Sequence, residues 1–215
     1  MKLRAVVVAA FVVSAAVGPA IACTGEVLFV DDFSDPALSK AKWKEVWVDY
    51  PESLSFTKGY MEMRGIWGGT AMIPNIEKDF DLCVDITIPK VKRPKIGAVA
   101  EITVVRQDKI EYIVSLGADG VILTARTSPS GDSEYLTPDN RTYPGVKVGA
   151  GQKNSWRLVV KDNRGTFYGN DRQLFEFPLV GQEVSPTVRL HGSSNDQSDG
   201  PWRFSDVKVT KPAQN

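Results

Sequence analysis

The sequence predicts an all-β protein whose antiparallel sheets pack as a two-sheet sandwich or jelly roll. Short runs rich in β-branched and aromatic residues recur along the chain, Gly, Pro, Asn and Asp separate them, and almost no window has a helical period. More than a dozen strands without alternating helices favour antiparallel layers over a parallel α/β sheet. One short helical turn is expected at residues 35–42, and strands are expected at residues 26–30, 42–48, 53–56, 60–64, 70–73, 80–88, 96–106, 109–116, 121–127, 155–161, 166–168, 173–177, 187–191 and 202–210.

The first residues are typical of a secretory signal peptide. Lys2 and Arg4 precede an apolar run over residues 5–17, and small residues ending in Ala20-Ile21-Ala22 follow it. The run is too short to cross a bilayer, which needs about 20 residues. We therefore expect cleavage after Ala22, a mature chain of residues 23–215, and a location in the periplasm or outside the cell. An uncleaved membrane anchor is the alternative.

Charge and length describe a single neutral domain. Removing Lys2 and Arg4 from the 26 basic residues leaves 24 against 26 acidic residues. This balance gives no electrostatic argument for a nucleic acid or an anionic membrane as partner. About 190 mature residues without a long linker or an internal repeat predict one domain. The stretch 128–152, rich in Pro, Gly, Ser and Asp, is predicted to be a long surface loop.

The two cysteines of the chain both lie in the expected mature part. Cys23 would be its first residue, and alternation along strand 80–88 places Cys83 on the polar face, where the chain terminus can reach it. Because disulfides persist in oxidising compartments, we expect a Cys23–Cys83 disulfide. Lipid modification of Cys23 is less favoured, since Pro19 stands where such sites usually carry small or aliphatic residues.

Two consecutive strands, 96–106 and 109–116, are apolar at nearly every position, which predicts that they lie in the middle of a sheet. Gln107-Asp108 between them fits a two-residue hairpin turn. With that turn the side chains of Glu101 and Glu111 point to opposite faces of the sheet. A three-residue turn would reverse this and put both acids on one face.

Several segments resemble concanavalin A-like lectin/glucanase domains. The run from Leu28 to Pro36, followed by Trp43, is similar to their opening. Residues 154–170 resemble a late hairpin of these domains, and residues 202–209 resemble their closing strand. Residues 80–88 also resemble a strand of the bacterial 3-keto-disaccharide hydrolase-like branch. The resemblance implies two curved antiparallel sheets with a ligand groove on the concave face, but this fold hosts lectins, hydrolases and inert modules.

The usual carboxylates of a glucanase are missing from the sequence. Glucanases of this fold place them on one strand in an E-x-D-x-E-type arrangement, and no such run occurs here. Glu101 and Glu111 are the remaining candidates for a catalytic pair. His191 is the only histidine, and no Gly-x-Ser-x-Gly elbow accompanies it. The sequence therefore favours a protein that binds its ligand over one that cleaves it.

Polar and aromatic residues supply a candidate carbohydrate groove. Arg189 and His191 share one face of the strand at 187–191, where they could bind sugar hydroxyls. Trp67, flanked by glycines, is the expected stacking platform, with Tyr112 and Arg126 as further groove residues. The alternative is that these residues only pack, since large aromatic residues dominate cores. The other tryptophans are predicted to be core residues at Trp43, Trp156 and Trp202, while Trp47 is ambiguous.

A structural calcium ion is expected from the same resemblance. Asp31, Asp32 and Asp206 match positions where similar domains often hold calcium, which takes several oxygen ligands. The first and last strands must then be neighbours. The alternative is that these aspartates only cap turns. The loop 195–200 is a weaker candidate that fits a solvated turn better. Two cysteines and one histidine do not make a zinc site.

Three functions are compatible with the sequence, and the groove on the concave face distinguishes them. A secreted carbohydrate-binding domain is favoured. The first alternative is a hydrolase acting on glycosides and resembling the 3-keto-disaccharide hydrolases, and the second is a non-catalytic structural or interaction domain. Paired carboxylates or a metal in the groove would indicate the enzyme, whereas an exposed aromatic residue with polar neighbours would indicate binding. A groove filled by apolar side chains would exclude both.

Overall fold

Two antiparallel sheets, A and B, of eight strands each are stacked on one another. The computed structural model describes residues 23–48, 50, 52–66, 68–74, 76–92, 97–137, 141–179 and 185–213. Within these ranges the helix is α1 (Pro36–Lys42), and the strands are β1 (Val27–Asp31), β2 (Lys44–Val48), β3 (Leu54–Thr57), β4 (Tyr60–Met63), β5 (Gly69–Ile73), β6 (Phe80–Thr87), β7 (Val99–Val105), β8 (Glu111–Gly117), β9 (Val121–Thr127), β10 (Ser133–Tyr135), β11 (Arg141–Thr142), β12 (Lys153–Lys161), β13 (Arg164–Gly169), β14 (Arg172–Pro178), β15 (Thr187–Ser193) and β16 (Trp202–Thr210).

The strand order confirms the predicted two-sheet jelly-roll sandwich. Sheet A runs β14-β13-β12-β6-β16-β4-β3, and β1 also pairs with β16. Sheet B runs β10-β9-β8-β7-β15-β5-β2, and β11 also pairs with β9. The prediction that β7 and β8 lie in the middle of a sheet is therefore confirmed. No helix among the described residues is long and apolar enough to cross a membrane.

The core lies between the sheets, and alternation along the strands decides which side chains enter it. In β6, Phe80, Leu82 and Val84 are buried against the opposite sheet, whereas Cys83 and Asp85 face outward, as predicted. The three tryptophans predicted to be core residues are confirmed, since each is at least nine-tenths buried: Trp43, Trp156 and Trp202.

The predicted helical turn is confirmed as α1. Its N-cap is Asp35, whose carboxylate accepts hydrogen bonds from the backbone nitrogens of Ala37 and Leu38. Pro36 occupies the first helical position, where its missing N–H costs nothing. The helix ends where Trp43 takes an extended backbone conformation and leads into β2.

The hairpin between β7 and β8 corrects the predicted turn at Gln107-Asp108. Glu101 pairs with Ser115, and the backbone nitrogen of Arg106 donates to the Ile110 carbonyl, so the loop holds three residues, 107–109. Lys109 closes it with a φ of 63°, the left-handed conformation that this loop length requires. Because the side-chain period of a strand is two, the extra residue turns every side chain of β8 to the face opposite the one predicted.

The predicted surface loop at 128–152 contains regular structure. β10 pairs with β9 next to a tight turn, and the two-residue β11 pairs with the other end of β9. Both strands are exposed along their length, so they carry none of the apolar alternation by which a strand is recognised in sequence.

Candidate functional site

A row of polar and aromatic side chains crosses four neighbouring strands on the outer face of sheet B. The register pairs Trp47 with Thr70, Thr70 with His191, and His191 with Glu101. Flanking residues on these strands, such as Leu190, point into the core, so the row points away from it. We call Trp47, Thr70, His191 and Glu101 the Trp47–Glu101 row.

His191 lies in the middle of the row and is held by its neighbour. Its Nδ1 forms a hydrogen bond of 2.9 Å with Oγ1 of Thr70. Burial lowers the pKa of His191 from 6.5, although a hydrogen bond to the backbone of Gly69 acts in the opposite direction. The imidazole is therefore neutral at pH 7, and a neutral imidazole can both donate and accept a hydrogen bond.

Glu101 ends the row on β7. Burial, and to a lesser extent the negative charge of Glu111, raise the pKa of this carboxyl from 4.5 to about 7. The charge of Glu111 acts on Glu101 because both acids lie on the outer face of sheet B. The expectation that they point to opposite faces is therefore wrong, and the three-residue hairpin loop is the reason.

Glu111 is engaged by Arg189, which lies on the same face two residues before His191. Arg189 Nη1 donates to Glu111 Oε1 at 3.1 Å, reaching across β7 from β15 to β8. The Nε atom of Arg189 is buried and has no hydrogen-bond partner in the described part of the chain. Arg189 and His191 thus occupy the polar face that the sequence predicts for them.

Trp47 supplies the aromatic end of the row. Its side chain is 46% exposed, whereas its strand neighbour Val48 packs against the core. The sequence left Trp47 ambiguous, and the structure makes it an exposed indole beside Thr70, whose hydroxyl contacts His191. Trp67, the predicted platform, lies outside the described residues.

A depression of about 330 Å³ lies between residues that follow β2 and residues that precede β5, and none of the four row residues lines it. Tyr50 lines it three residues after Trp47, and Gly65 lines it from the segment that leads into β5. The Gly65 carbonyl accepts a hydrogen bond from the backbone nitrogen of Ser194, three residues after His191. Arg64 and Glu52 give the depression a charge of each sign.

Two predicted groove residues lie on the other side of sheet B. Tyr112 is 1% exposed and stacks on Phe177 in the core. Arg126 pairs with Tyr112 across β8 and β9, so it shares the inward side at the sheet edge, where it forms an ion pair with Glu134 at 2.6 Å. Neither therefore lies in a groove on the outer face, and for Tyr112 the alternative interpretation, that it packs in the core, is confirmed.

The three aspartates expected to hold calcium do not converge. β1 and β16 are neighbours, as that expectation required, with Asp31 paired to Val207. The buried Asp31 carboxylate, however, accepts hydrogen bonds from Trp43 Nε1 and Ser39 Oγ, both at 2.8 Å. Asp32 accepts from the Ser34 nitrogen at the exposed surface, which also lowers its pKa from 3.8. Asp206 is exposed at a β-bulge near Lys153.

Within the described ranges, the close grouping of metal-ligating atoms is Cys23, Asp81 and Cys83. Its two sulfur atoms form the predicted disulfide, which joins Cα atoms 6.2 Å apart. Sulfur atoms in a disulfide are not thiolate ligands. The donor set of this group therefore does not fit a metal ion.

Solved structures share the fold at low sequence identity. A protein from a study of endo-acting O-glycanases that human gut microbiota express to initiate mucin breakdown has a TM-score of 0.65 and 14% identity, over 87% of this chain and 100% of its own. The laminarinase catalytic domain of Thermotoga maritima has a TM-score of 0.62 and 11% identity, over 88% and 99%. The carbohydrate-binding module CBM66 of Bacillus subtilis has a TM-score of 0.55 and 15% identity, over 79% and 96%. No protein-family model matches the chain, and no curated protein does.

Proposed function

We propose that the protein, which has the concanavalin A-like jelly-roll fold, binds carbohydrate along the Trp47–Glu101 row. The observation that carries the proposal is the register that brings an exposed indole, a hydroxyl, an imidazole and a carboxyl into one line on four adjacent strands. Adjacent strands lie about 4.8 Å apart, so the line is about 14 Å long. A short oligosaccharide fits this length.

The chemistry of the row matches that of a sugar ring. A pyranose presents an apolar face of C–H groups and a rim of hydroxyls that both donate and accept hydrogen bonds. The indole of Trp47 offers an aromatic face with negative potential to the C–H groups. His191 and Thr70 offer side-chain atoms that donate and accept. The fold neighbours named above include a carbohydrate-binding module and glycan-cleaving enzymes, which supports this ligand class.

A glycan array with the purified protein tests the proposal, followed by calorimetric titration of each glycan that binds. Trp47→Ala should weaken binding at least tenfold, or about 1.4 kcal/mol. Tyr60→Ala is the matched control, because Tyr60 is an exposed aromatic residue on the other sheet, beneath the Arg203 guanidinium. Absence of binding to any glycan, or equal loss in both variants, contradicts the proposal.

Glycoside hydrolysis is a second candidate, supported by Glu101 and Glu111 on one face. A carboxyl with a pKa of about 7 suits a general acid, and Glu111, ion-paired with Arg189, provides a second carboxylate. Against this, Glu111 lies four residues from the partner of Glu101 along β8, about 14 Å at the backbone, while glycosidase carboxylates are about 5 to 10 Å apart. In addition, Glu101 is the only acid among the outward-facing residues of β7, so this strand does not supply a second carboxylate for catalysis.

A hydrolysis screen on ordinary and 3-keto disaccharides distinguishes the two functions. If the protein is a hydrolase, Glu101→Gln should abolish turnover while leaving glycan binding within a few-fold of the parent. If it only binds, neither the parent nor the Glu101→Gln variant turns over any substrate, and Trp47→Ala still weakens binding on the glycan array. Neither binding nor turnover would leave a structural or interaction domain as the function.

A further inference from the structure

A buried ion pair lies beside the disulfide on the outer face of sheet A. Asp81 on β6 is 2% exposed, and its carboxylate accepts hydrogen bonds from Arg157 Nε and Nη2 of β12, both at 2.8 Å. A carboxylate has about four acceptor positions, so one guanidinium does not saturate it. The backbone nitrogen of Cys23 lies 3.3 Å from Asp81 Oδ2 and occupies part of the remaining capacity.

The disulfide fixes the position of that nitrogen. Cys83 lies two residues after Asp81 on the same outward side of β6, so a bond from Cys23 to Cys83 brings the Cys23 backbone over the Asp81 carboxylate. Cys23 is itself 2% exposed and has a φ of 49°, a conformation that residues other than glycine rarely adopt. The surroundings therefore hold this nitrogen against the buried carboxylate.

We propose that the chain is cut between Ala22 and Cys23, and that Asp81 binds the α-ammonium group so formed. A signal peptidase hydrolyses the peptide bond: water adds across it, Ala22 leaves with a carboxylate, and Cys23 retains the nitrogen as an ammonium. Before the cut the nitrogen is a neutral amide with one N–H. After the cut it carries three donors and a positive charge next to a carboxylate, which makes the hydrogen bond charge-assisted.

Two observations place the cut at this peptide bond. The sequence ends its small-residue cleavage pattern at Ala22. The residue that follows is the one whose nitrogen faces a buried carboxylate with spare acceptor capacity.

The same geometry opposes lipid modification of Cys23. A lipoprotein carries its lipid on the cysteine sulfur as a thioether and often a further acyl chain on the nitrogen. In this protein Sγ of Cys23 is bonded to Cys83, and the nitrogen faces Asp81. Both atoms that a lipid would need are already engaged, so the new N-terminus is free of lipid and fixed to the sheet.

The first experiment expresses the full 215-residue chain in an exporting bacterial host and measures the intact mass of the purified product, with N-terminal sequencing. We expect a chain that begins at Cys23, with its two cysteines oxidised and no added mass. A different N-terminus, an uncut chain, or a lipid on Cys23 overturns the proposal.

The second experiment measures how the α-amine reacts with an acylating reagent at neutral pH. In the native protein the amine should react about tenfold or more slowly than in the denatured protein, because reaction needs local opening. Asp81→Asn should raise the native rate, and Asp85→Asn, an acid on the same face paired with Lys153, should not. A chain that begins at Ala22 should react rapidly.

If Asp81→Asn does not fold, the wild-type rate and that of the Ala22 chain decide the question. Equal rates in the native and denatured wild-type protein, or protection that persists when Ala22 is retained, contradict binding of the amine by Asp81.

Discussion

Glu101 of β7 and His191 of β15 are cross-strand partners on the outer face of sheet B. Burial raises the pKa of Glu101 to about 7 and lowers that of His191 from 6.5. Near neutral pH the histidine is uncharged and the carboxyl is protonated in about half of the molecules. The centre of the proposed sugar site can therefore form hydrogen bonds without the cost of desolvating a full charge on each side chain.

Glu101→Gln should stabilise the protein in a pH-dependent way. Because the folded state raises the pKa of this carboxyl from 4.5 to about 7, the folded protein binds the proton more tightly than the unfolded chain does. The carboxyl therefore favours folding most below about pH 4.5, and this contribution is lost as the pH rises through about 7. Gln does not titrate and avoids this loss. The free energy of unfolding of the variant should therefore exceed that of the parent by up to about 3 kcal/mol at pH 8 and by almost nothing at pH 4.

Thermal unfolding between pH 4 and pH 8 measures this effect. Glu134→Gln is the control, because Glu134 is exposed on β10 and pairs with Arg126 at the surface. An equal gain for Glu101→Gln at both ends of the pH range would show that burial does not raise the pKa of Glu101.

The disulfide should contribute about 4 kcal/mol to the free energy of unfolding. The bond closes a loop of 60 residues, and the chain entropy that it thereby removes from the unfolded state has this magnitude. Chemical denaturation of the protein and of a Cys23→Ser/Cys83→Ser double variant measures the difference. Thiol titration of the untreated, unfolded protein should find no free thiol, and two free thiols would contradict the bond.

Lys109→Gly should stabilise the hairpin between β7 and β8. The residue has a φ of 63°, where side chains with a Cβ cost about 1 kcal/mol or more that glycine avoids. Part of this gain is offset by the greater freedom of glycine in the unfolded chain. We therefore expect urea denaturation to show an increase of about 0.5 to 1 kcal/mol in the free energy of unfolding. Lys109→Val, which adds β-branching at the same φ, should be destabilising, and a stable Val variant would argue against the three-residue loop.

Asp31→Ala should destabilise the protein by about 3 kcal/mol or more, because it leaves buried donors without an acceptor. These donors are Trp43 Nε1, Ser39 Oγ and the Phe33 nitrogen. Asp32→Ala, at the exposed neighbour, should have a much smaller effect. If calcium binding were the role of Asp31, the loss would appear in calcium and vanish in a chelator. We expect the same loss in both buffers.

Local patterns in the sequence predict most of the strands, the capped helix and the disulfide. These features depend on contacts within a strand, on a capping residue, or on a count of two cysteines. β10 and β11 escape prediction because exposed edge strands need no apolar face. The concanavalin A-like resemblance of scattered segments is confirmed at the level of the fold.

One residue in one turn accounts for the main errors at the site. Lys109 adopts the left-handed conformation that Gly or Asn would signal, so the sequence gives no sign of a three-residue loop. The resulting slip reverses β8, which moves Glu111 outward and Tyr112 inward together. The row itself could not be predicted, because Trp47, Thr70, His191 and Glu101 come from strands far apart in the chain.

The position of β16 has a consequence for the order of folding. This strand is synthesised after every other described strand, yet it lies inside sheet A, between β6 on one side and β4 and β1 on the other. Cys23 and Cys83 both precede β16 in the chain, so the disulfide can form in the oxidising compartment before β16 fills the centre of the sheet. Until β16 pairs with β4 and β6, apolar residues on the inner faces of these two strands remain exposed. Pairing between strands so far apart in the chain is slow. The newly made chain is most exposed to aggregation in this interval, which ends when residues 202–210 insert.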